Sequence, residues 1–422
     1  MLNILTLKNL MNFLIQFFII FFMLTSDLLA DILDEASKFT VRVRTSIDFS
    51  FAEDEAGTLY GAGFLVDESR RYIVTNAHVS GRGNARIEVA FKGFGYETAN
   101  AVYVDPILDL AVLQVDNTSL PENARSARLD CSKRYLNGIA VAAYGHPHGL
   151  SFSASRGIIS QVRTYESTDW VQTDAAINPG NSGGALIELE TGLVVGVNAM
   201  GFEDTQGLNF AVPMQPVCSI IDMLKNDLVP SPPAFPMFFA SDEELDTHLT
   251  VAGNIYGPLP KKIQLGDQLK LVNGVEVFSP NDIVEQLRAY SGKVDLSFLR
   301  GNLDFEISLE LEPQLPILDR PFIIMDGALN AEDVYPQRRL KDGLFQIHSI
   351  AAGSQIEQSY LTAYQLIVSV NGIKPNSIEH LYELLKSREN IQLITRSWSE
   401  RDYVLHDYFL IHYQPNDIKS YN

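Results

Sequence analysis

From Phe39 to about Val212 the apolar positions come in short runs, TVRVR, GAGFLV, RIEVAF, LAVLQV, GIAVAAYG and GLVVGVNAM, broken by Gly, Asn and Asp. Short runs rich in β-branched residues and bounded by turn formers are strand signals. Many of them in succession predict an antiparallel β sandwich or barrel. The period changes at Pro216, after which Val217, Ile220, Ile221 and Leu224 recur at helical spacing. That predicts a helix opening on proline, whose missing N–H is harmless there, and closing a first domain over 31–228. Pro230, Pro232, Pro233 and Pro236 then bar helix and central strand, so an extended linker is expected over 229–237.

The remainder reads as two related units. In one, Leu265 to Gly274 is a strand ending in Asn-Gly, and Pro280 to Tyr290 has helical spacing through Ile283 and Leu287. In the other, Gln365 to Gly372 repeats strand and Asn-Gly turn, and Ser377 to Leu385 is helical through Ile378, Leu381 and Leu385. Pro313 and Pro316 mark a break between them, which sets the expected units at 238–313 and 320–415. At the other end, Asn9 to Ser26 carries no charge and is dense in Phe, Ile and Leu. Residues 1–30 therefore read as an export signal with a small residue, Ala30, before the cut. An uncleaved membrane anchor is the alternative, since the run is at the lower edge of what spans a bilayer. Everything after Ala30 is expected to fold outside the cytoplasm, in the periplasm or as a secreted chain.

Length and charge narrow the function. With 422 residues, 46% of them hydrophobic and 20% charged, the chain is globular and holds several domains. A net charge of −20 repels phosphate backbones, so no nucleic-acid partner is expected. Cys131 and Cys218 stand far apart in no ligand spacing. Neither a zinc site nor a disulfide scaffold is indicated, and whether the two pair is left open.

Chemistry concentrates at Gly180-Asn181-Ser182-Gly183-Gly184. Glycines there permit a tight turn, and the N–H groups of Gly180 and Ser182 can converge on one point as an oxyanion hole. A serine in a glycine-rich turn decides nothing without a base and an acid to orient it. Thr75-Asn76-Ala77-His78-Val79 follows the apolar run Tyr72-Ile73-Val74, and Asp109 precedes Leu110-Ala111-Val112-Leu113. The order His78, Asp109, Ser182 is that of chymotrypsin-type triads, unlike the orders of subtilisins or α/β-hydrolases. His146 and His148 flank Pro147 with no third ligand nearby in sequence, so a surface turn is favoured over a metal site. The acidic loop from Asp48 to Leu59 is expected to be solvated rather than to hold calcium.

The segments TNAHV, DLAVLQV, AAYGHPHGL, QTDAAINPGNSGGAL and LNFAVP resemble, in order and spacing, the signature segments of the HtrA/Deg family of trypsin-like serine proteases. GDQLKLVNG and YQLIVSVNG resemble segments of the PDZ domains that follow the protease in that family. The resemblance implies an all-β chymotrypsin-like double barrel followed by two divergent α+β PDZ-like domains. It implies Ser182 as nucleophile, His78 as general base and then acid, Asp109 as the group orienting His78, and an oxyanion hole from Gly180 and Ser182. No cofactor or metal is implied. In trypsin-like proteases the base of the S1 pocket lies six positions before the nucleophile, here Ala176 beside Ile177, with Ala199 and Met200 on the opposite wall. A pocket without a buried acid predicts small aliphatic P1 residues. The family further implies unfolded envelope proteins as substrates, chaperone behaviour, homotrimers or multiples of trimers, and active-site loops, here 163–181 and 199–209, that rest inactive until ordered. C-terminal peptides are the expected PDZ ligands, docking on a sheet edge. Phe235 to Phe239 or Val251 to Ile255 would serve in the first unit and Phe322 to Met325 in the second. The rival readings are a non-catalytic peptide-binding chaperone or scaffold, and a membrane-tethered regulatory protease.

Overall fold

The computed structural model describes residues 31–421, apart from 52–53, 84, 117–118, 133–136, 150–151, 166–167, 202–206, 234, 241–248, 255–258, 312, 333–344, 360, 387–390, 400–403, 414 and 416. The expected export signal, 1–30, lies outside the described residues, among which no helix is long and apolar enough to cross a membrane. A helix α1 over 31–39 leads into β1 (Thr40–Ile47), β2 (Gly57–Asp67), β3 (Tyr72–Thr75), the short helix α2 (Ala77–Ser80), β4 (Arg86–Phe91), β5 (Glu97–Asp105) and β6 (Leu110–Val115). These strands close a barrel in the order β1-β2-β3-β6-β5-β4. Alternation drives it, with Val41 and Val43 inward beside Phe64, Ile73 and Leu113.

β7 (Ala140–Gly145), β8 (Ser153–Tyr165), β9 (Thr168–Thr173), β10 (Ala185–Glu188), β11 (Val194–Gly201) and β12 (Asn209–Pro213) close a second barrel, β10-β11-β12-β9-β8-β7. The two barrels are the double barrel that the resemblance implies. Helix α3 (Met214–Lys225) follows with Pro213 as its N-cap, so it starts two residues before Pro216, which sits within the first turn where no N–H is needed.

Cys131 and Cys218 form a disulfide, Cα to Cα 5.8 Å. Nothing in their spacing foretold it, because α3 must fold back before Cys218 meets a segment 87 positions earlier. Replacing both with serine is expected to lower stability by about 2–4 kcal/mol. The urea midpoint should fall in oxidising buffer, and the difference from wild type should vanish once the wild-type bond is reduced.

The third sheet contains β13 (Met237–Ala240), β14 (Leu249–Asn254), β15 (Gln268–Val272), β16 (Val275–Glu276), β17 (Gly292–Arg300) and β18 (Leu303–Leu311), with α4 (Pro280–Leu287) between β16 and β17. Ser279 caps α4 in a reciprocal box with Asp282. The fourth sheet runs β24-β23-β22-β21-β20-β19-β25. Its strands are β19 (Phe322–Met325), β20 (Ala328–Glu332), β21 (Phe345–Ile350), β22 (Leu366–Val370), β23 (Ile391–Ser399), β24 (Val404–Tyr413) and β25 (Ile418–Tyr421), with α5 (Ile378–Leu385) between β22 and β23.

The repeat seen in the sequence is a repeat of hydrogen bonds. Asn273 and Asn371 each take φ near 50° before a glycine. The Asn273 side chain accepts the Asp295 N–H while its own N–H donates to Asp295, and Asn371 does the same with Gln392. Phe322 to Met325, expected as a docking strand, is flanked by β20 on one side and β25 on the other.

The units also pack on the barrels. Arg288, just past α4, is fully buried and donates to Asp105 at the end of β5 (2.5 Å), to Glu285 (2.7 Å) and to the Pro230 carbonyl (3.3 Å). Burial opposes its charge, but Asp105 and Glu285 overcome this and hold the guanidinium ionised. From the last unit, the His348 ring lies 4.6 Å from that of Phe51, in the β1–β2 connection.

Candidate active site

The segments singled out by sequence meet where the two barrels face each other. His78 stands on α2, immediately after β3, and Asp109 at the entry of β6, the strand paired with β3. Asp109 has a φ of 51°, a left-handed conformation that Asp tolerates better than most residues. Its carboxylate grips His78 twice: Oδ1 accepts the His78 backbone N–H (2.9 Å) and Oδ2 faces Nδ1 (2.7 Å). Asn76, fully buried, donates from its side-chain amide to the Asp109 carbonyl (2.9 Å). Backbone and ring of His78 are therefore set by one side chain, leaving Nε2 for the cleft.

Ser182 sits in the turn before β10, and its carbonyl accepts the N–H of Ala62 from the first barrel (2.8 Å). The glycines after it answer to this seam. A Cβ on Gly183 would lie 2.2 Å from the Ala62 carbonyl oxygen, and one on Gly184 would lie 2.1 Å from the Tyr144 carbonyl oxygen. Gly183 is thus required by barrel-to-barrel approach, and Gly184 by the close approach of β7 within its own barrel, not only by the turn. The Ser182 hydroxyl donates to the Ala199 carbonyl (3.0 Å), and no hydrogen bond joins it to His78 among the described residues. The N–H groups of Gly180 and Ser182 have no acceptor among the described residues, and both residues line the cleft with His78. Two unspent donors beside a hydroxyl are what an oxyanion would use.

Ala176, Ile177, Ala199 and Met200 all line this cleft, as the S1 assignment requires. Asp174 and Tyr60 line it too, and neither was singled out in the sequence. Asp174 stands in the same QTDAA string as Ala176, and its Oδ1 accepts the Ile158 N–H (2.6 Å).

Two expectations are corrected. His146 is not on a surface turn: it is buried, its Nδ1 accepts the Phe152 N–H (3.0 Å), and its backbone N–H holds the Gly180 carbonyl (3.1 Å). Burial, aided by Arg42, pushes its imidazole down to about 4. In the unfolded chain histidine titrates near its ordinary value, so as pH falls the unfolded state takes the proton first and stability declines from about 6.5 to about 4. The loss should reach about 3 kcal/mol below that window. Urea midpoints across this range should show the decline in wild type and a flatter profile in His146→Asn.

The acidic loop is not fully solvated either. Asp54 is buried, and its carboxylate pairs with Arg82, accepting Nη1 (2.5 Å) and the Arg82 backbone N–H. Burial pushes the Asp54 carboxyl up, opposed by Arg82 and by His78. Arg82, also buried, reaches Asp109 Oδ1 from Nη2 (3.5 Å). No motif marks either residue, because the contact joins two loops.

Paired six-stranded barrels with a cleft at their seam are the architecture of chymotrypsin-like peptidases, and residues 61–197 match the family described as trypsin-like peptidase domain. The chain carries a trypsin-like serine peptidase domain. More particularly, the chain is similar to proteins named as Do-like, DegP-like and HtrA-type proteases. It is 32% identical over 287 residues to Protease Do-like 1, chloroplastic, of Arabidopsis thaliana, covering 60% of this chain and 64% of that protein. It is 29% identical over 364 residues to a probable periplasmic serine endoprotease DegP-like of Chlamydia trachomatis, covering 79% of this chain and 71% of that one. Among solved structures it is similar to an HtrA-type protease, AlgW with tripeptide, at 25% identity and a TM-score of 0.56, covering 68% of this chain and 98% of the other.

Proposed function

We propose that the chain is an exported, ATP-independent endopeptidase that degrades unfolded or damaged envelope proteins through Ser182, His78 and Asp109. The observation that carries this reading is the double grip of Asp109 on His78 in a cleft shared with Ser182 and two unspent amides. His78 removes the Ser182 proton as the hydroxyl attacks the scissile carbonyl, and Gly180 and Ser182 amides receive the oxyanion. The imidazolium then protonates the leaving amine, and water resolves the acyl-enzyme by the same route. Ser182 must first release the Ala199 carbonyl, which fits a cleft at rest until substrate or a neighbouring subunit orders its loops. The same bond is what favours the rival reading, a peptide-binding scaffold of low activity.

We read 238–313 and 320–415 as PDZ-like on their shared Asn-Gly turns and capped helices, with C-terminal peptides as ligands, and the assembly as a homotrimer or a multiple of one. The Cys131–Cys218 bond fits an oxidising compartment such as the periplasm, the compartment in the name of the Chlamydia relative. The test is digestion of reduced casein by residues 31–422, with products identified by mass spectrometry. Cleavage after Val, Ala or Ile is expected. Cleavage chiefly after Lys or Arg would overturn the pocket assignment and turn attention to Asp174, and no cleavage at any temperature or with added peptides would favour the scaffold.

A further inference from the structure

Beside the triad lies a charged pair that the reaction described above does not use. Arg82 follows α2 by two residues and is 5% exposed; Asp54, from the β1–β2 connection, is equally buried. A buried guanidinium needs acceptors, and its carboxylate partners among the described residues include Asp54, at 2.5 Å, and Asp109 Oδ1, at 3.5 Å. That Oδ1 is the oxygen that accepts the His78 N–H, so Arg82 bears on the atom that sets the position of the base. The Asp54 N–H donates to the Phe51 carbonyl (3.0 Å), and the buried Phe51 ring packs on that of His348, which anchors the connection that carries Asp54.

We propose that Arg82, held by Asp54, is a positioning residue for the triad: it keeps Asp109 aimed at Nδ1 of His78 and balances the charge around the imidazolium that forms during reaction. The argument rests on the catalytic reading above.

The charge count supplies the logic. Asp54, Arg82, Asp109 and neutral His78 sum to one negative charge at rest, and to zero once His78 holds the serine proton. Without Arg82 the same two states carry one more negative charge each, and the imidazolium is favoured before substrate arrives. Without Asp54 they carry one more positive charge each, and the imidazolium is opposed when it is needed. Asp174 and Tyr60, which also line the cleft, are unchanged by either substitution.

The experiment follows the His78 imidazole by NMR against pH in the full chain with Ser182→Ala, which needs no turnover, and the kcat/KM–pH profile in the catalytically intact chain. Arg82→Gln should move the His78 titration and the acid limb to higher pH, and Asp54→Asn should move both lower, each by roughly 0.5–1 pH unit. The double variant Asp54→Asn/Arg82→Gln restores the wild-type charge sum and buries no unpaired ion. It should fold, titrate close to wild type, and still lose about tenfold in kcat with KM little changed, as when an outer partner orienting a catalytic group is removed. Arg82→Lys should recover part of that loss. If a single variant does not fold, the double variant and Arg82→Lys carry the test through kcat. Titrations that coincide in all folded variants, or a double variant as fast as wild type, would overturn the proposal. Absence of any Ser182-dependent cleavage would instead sink the peptidase reading, and the NMR arm would still decide whether the pair acts on His78.

Discussion

Ser182→Ala is expected to abolish casein cleavage, with a fall of about four orders of magnitude or more in kcat. The reason is geometric. Asp109 fixes His78 through both its backbone and its ring, so the imidazole is already aligned, and without a hydroxyl it has nothing to activate. Residual hydrolysis should come from the Gly180 and Ser182 amides, which this substitution leaves in place. His78→Ala should cost a similar factor, and combining the two should cost little more, because the residues act as a unit. Binding of unfolded casein should survive in Ser182→Ala. Additive losses on combination would mean that His78 and Ser182 do not act on the same step.

The second large effect is on stability. Arg288→Ala is expected to cost about 3–5 kcal/mol, because it strands Asp105 as a buried carboxylate after its partner is gone. Asp105 Oδ1 is already occupied by the N–H groups of Ile107 and Leu108, both at 3.0 Å, and Oδ2 by the Tyr103 hydroxyl at 3.1 Å besides Arg288. Burial pushes the Tyr103 phenol up, so it stays a neutral donor and offers no charge to offset the stranded carboxylate. A double variant, Arg288→Met with Asp105→Leu, should recover most of the loss by replacing the ion pair with apolar volume. Urea unfolding read by tryptophan fluorescence would measure both, Trp170 reporting on the second barrel. An Arg288→Ala midpoint equal to wild type would mean that water reaches Asp105.

How much of this was legible beforehand depends on the range of the interaction. Strand runs and the two Asn-Gly turns are local patterns, and they located the barrel strands and the repeated strand–turn–helix order. The one error at the end of the first domain, α3 beginning at Met214, arose because Pro213 rather than Pro216 takes the cap. Ser182, His78 and Asp109 each stand within a short motif, and counting back from Ser182 led to Ala176, which lines the same cleft. What escaped was made by tertiary contact alone. Cys218 reaches Cys131 only through the path of α3, and Asp54 is acidic in a run that reads as solvated until Arg82 is brought over it. His146 looked like a turn residue because its burial comes from strands that surround it in space.

Barrel closure carries a consequence for how the chain ages. All strands of the peptidase half are paired on both sides, so native-state edges among the described residues fall to the two C-terminal sheets, at β13, the short β16, β18, β24 and β25. Unpaired strand edges are where one molecule recruits another into mixed sheets. Self-association of the folded chain on storage is therefore expected to begin in the appended units, with the peptidase half joining only after a barrel has opened. A sample would then lose solubility while both of its barrels remain closed.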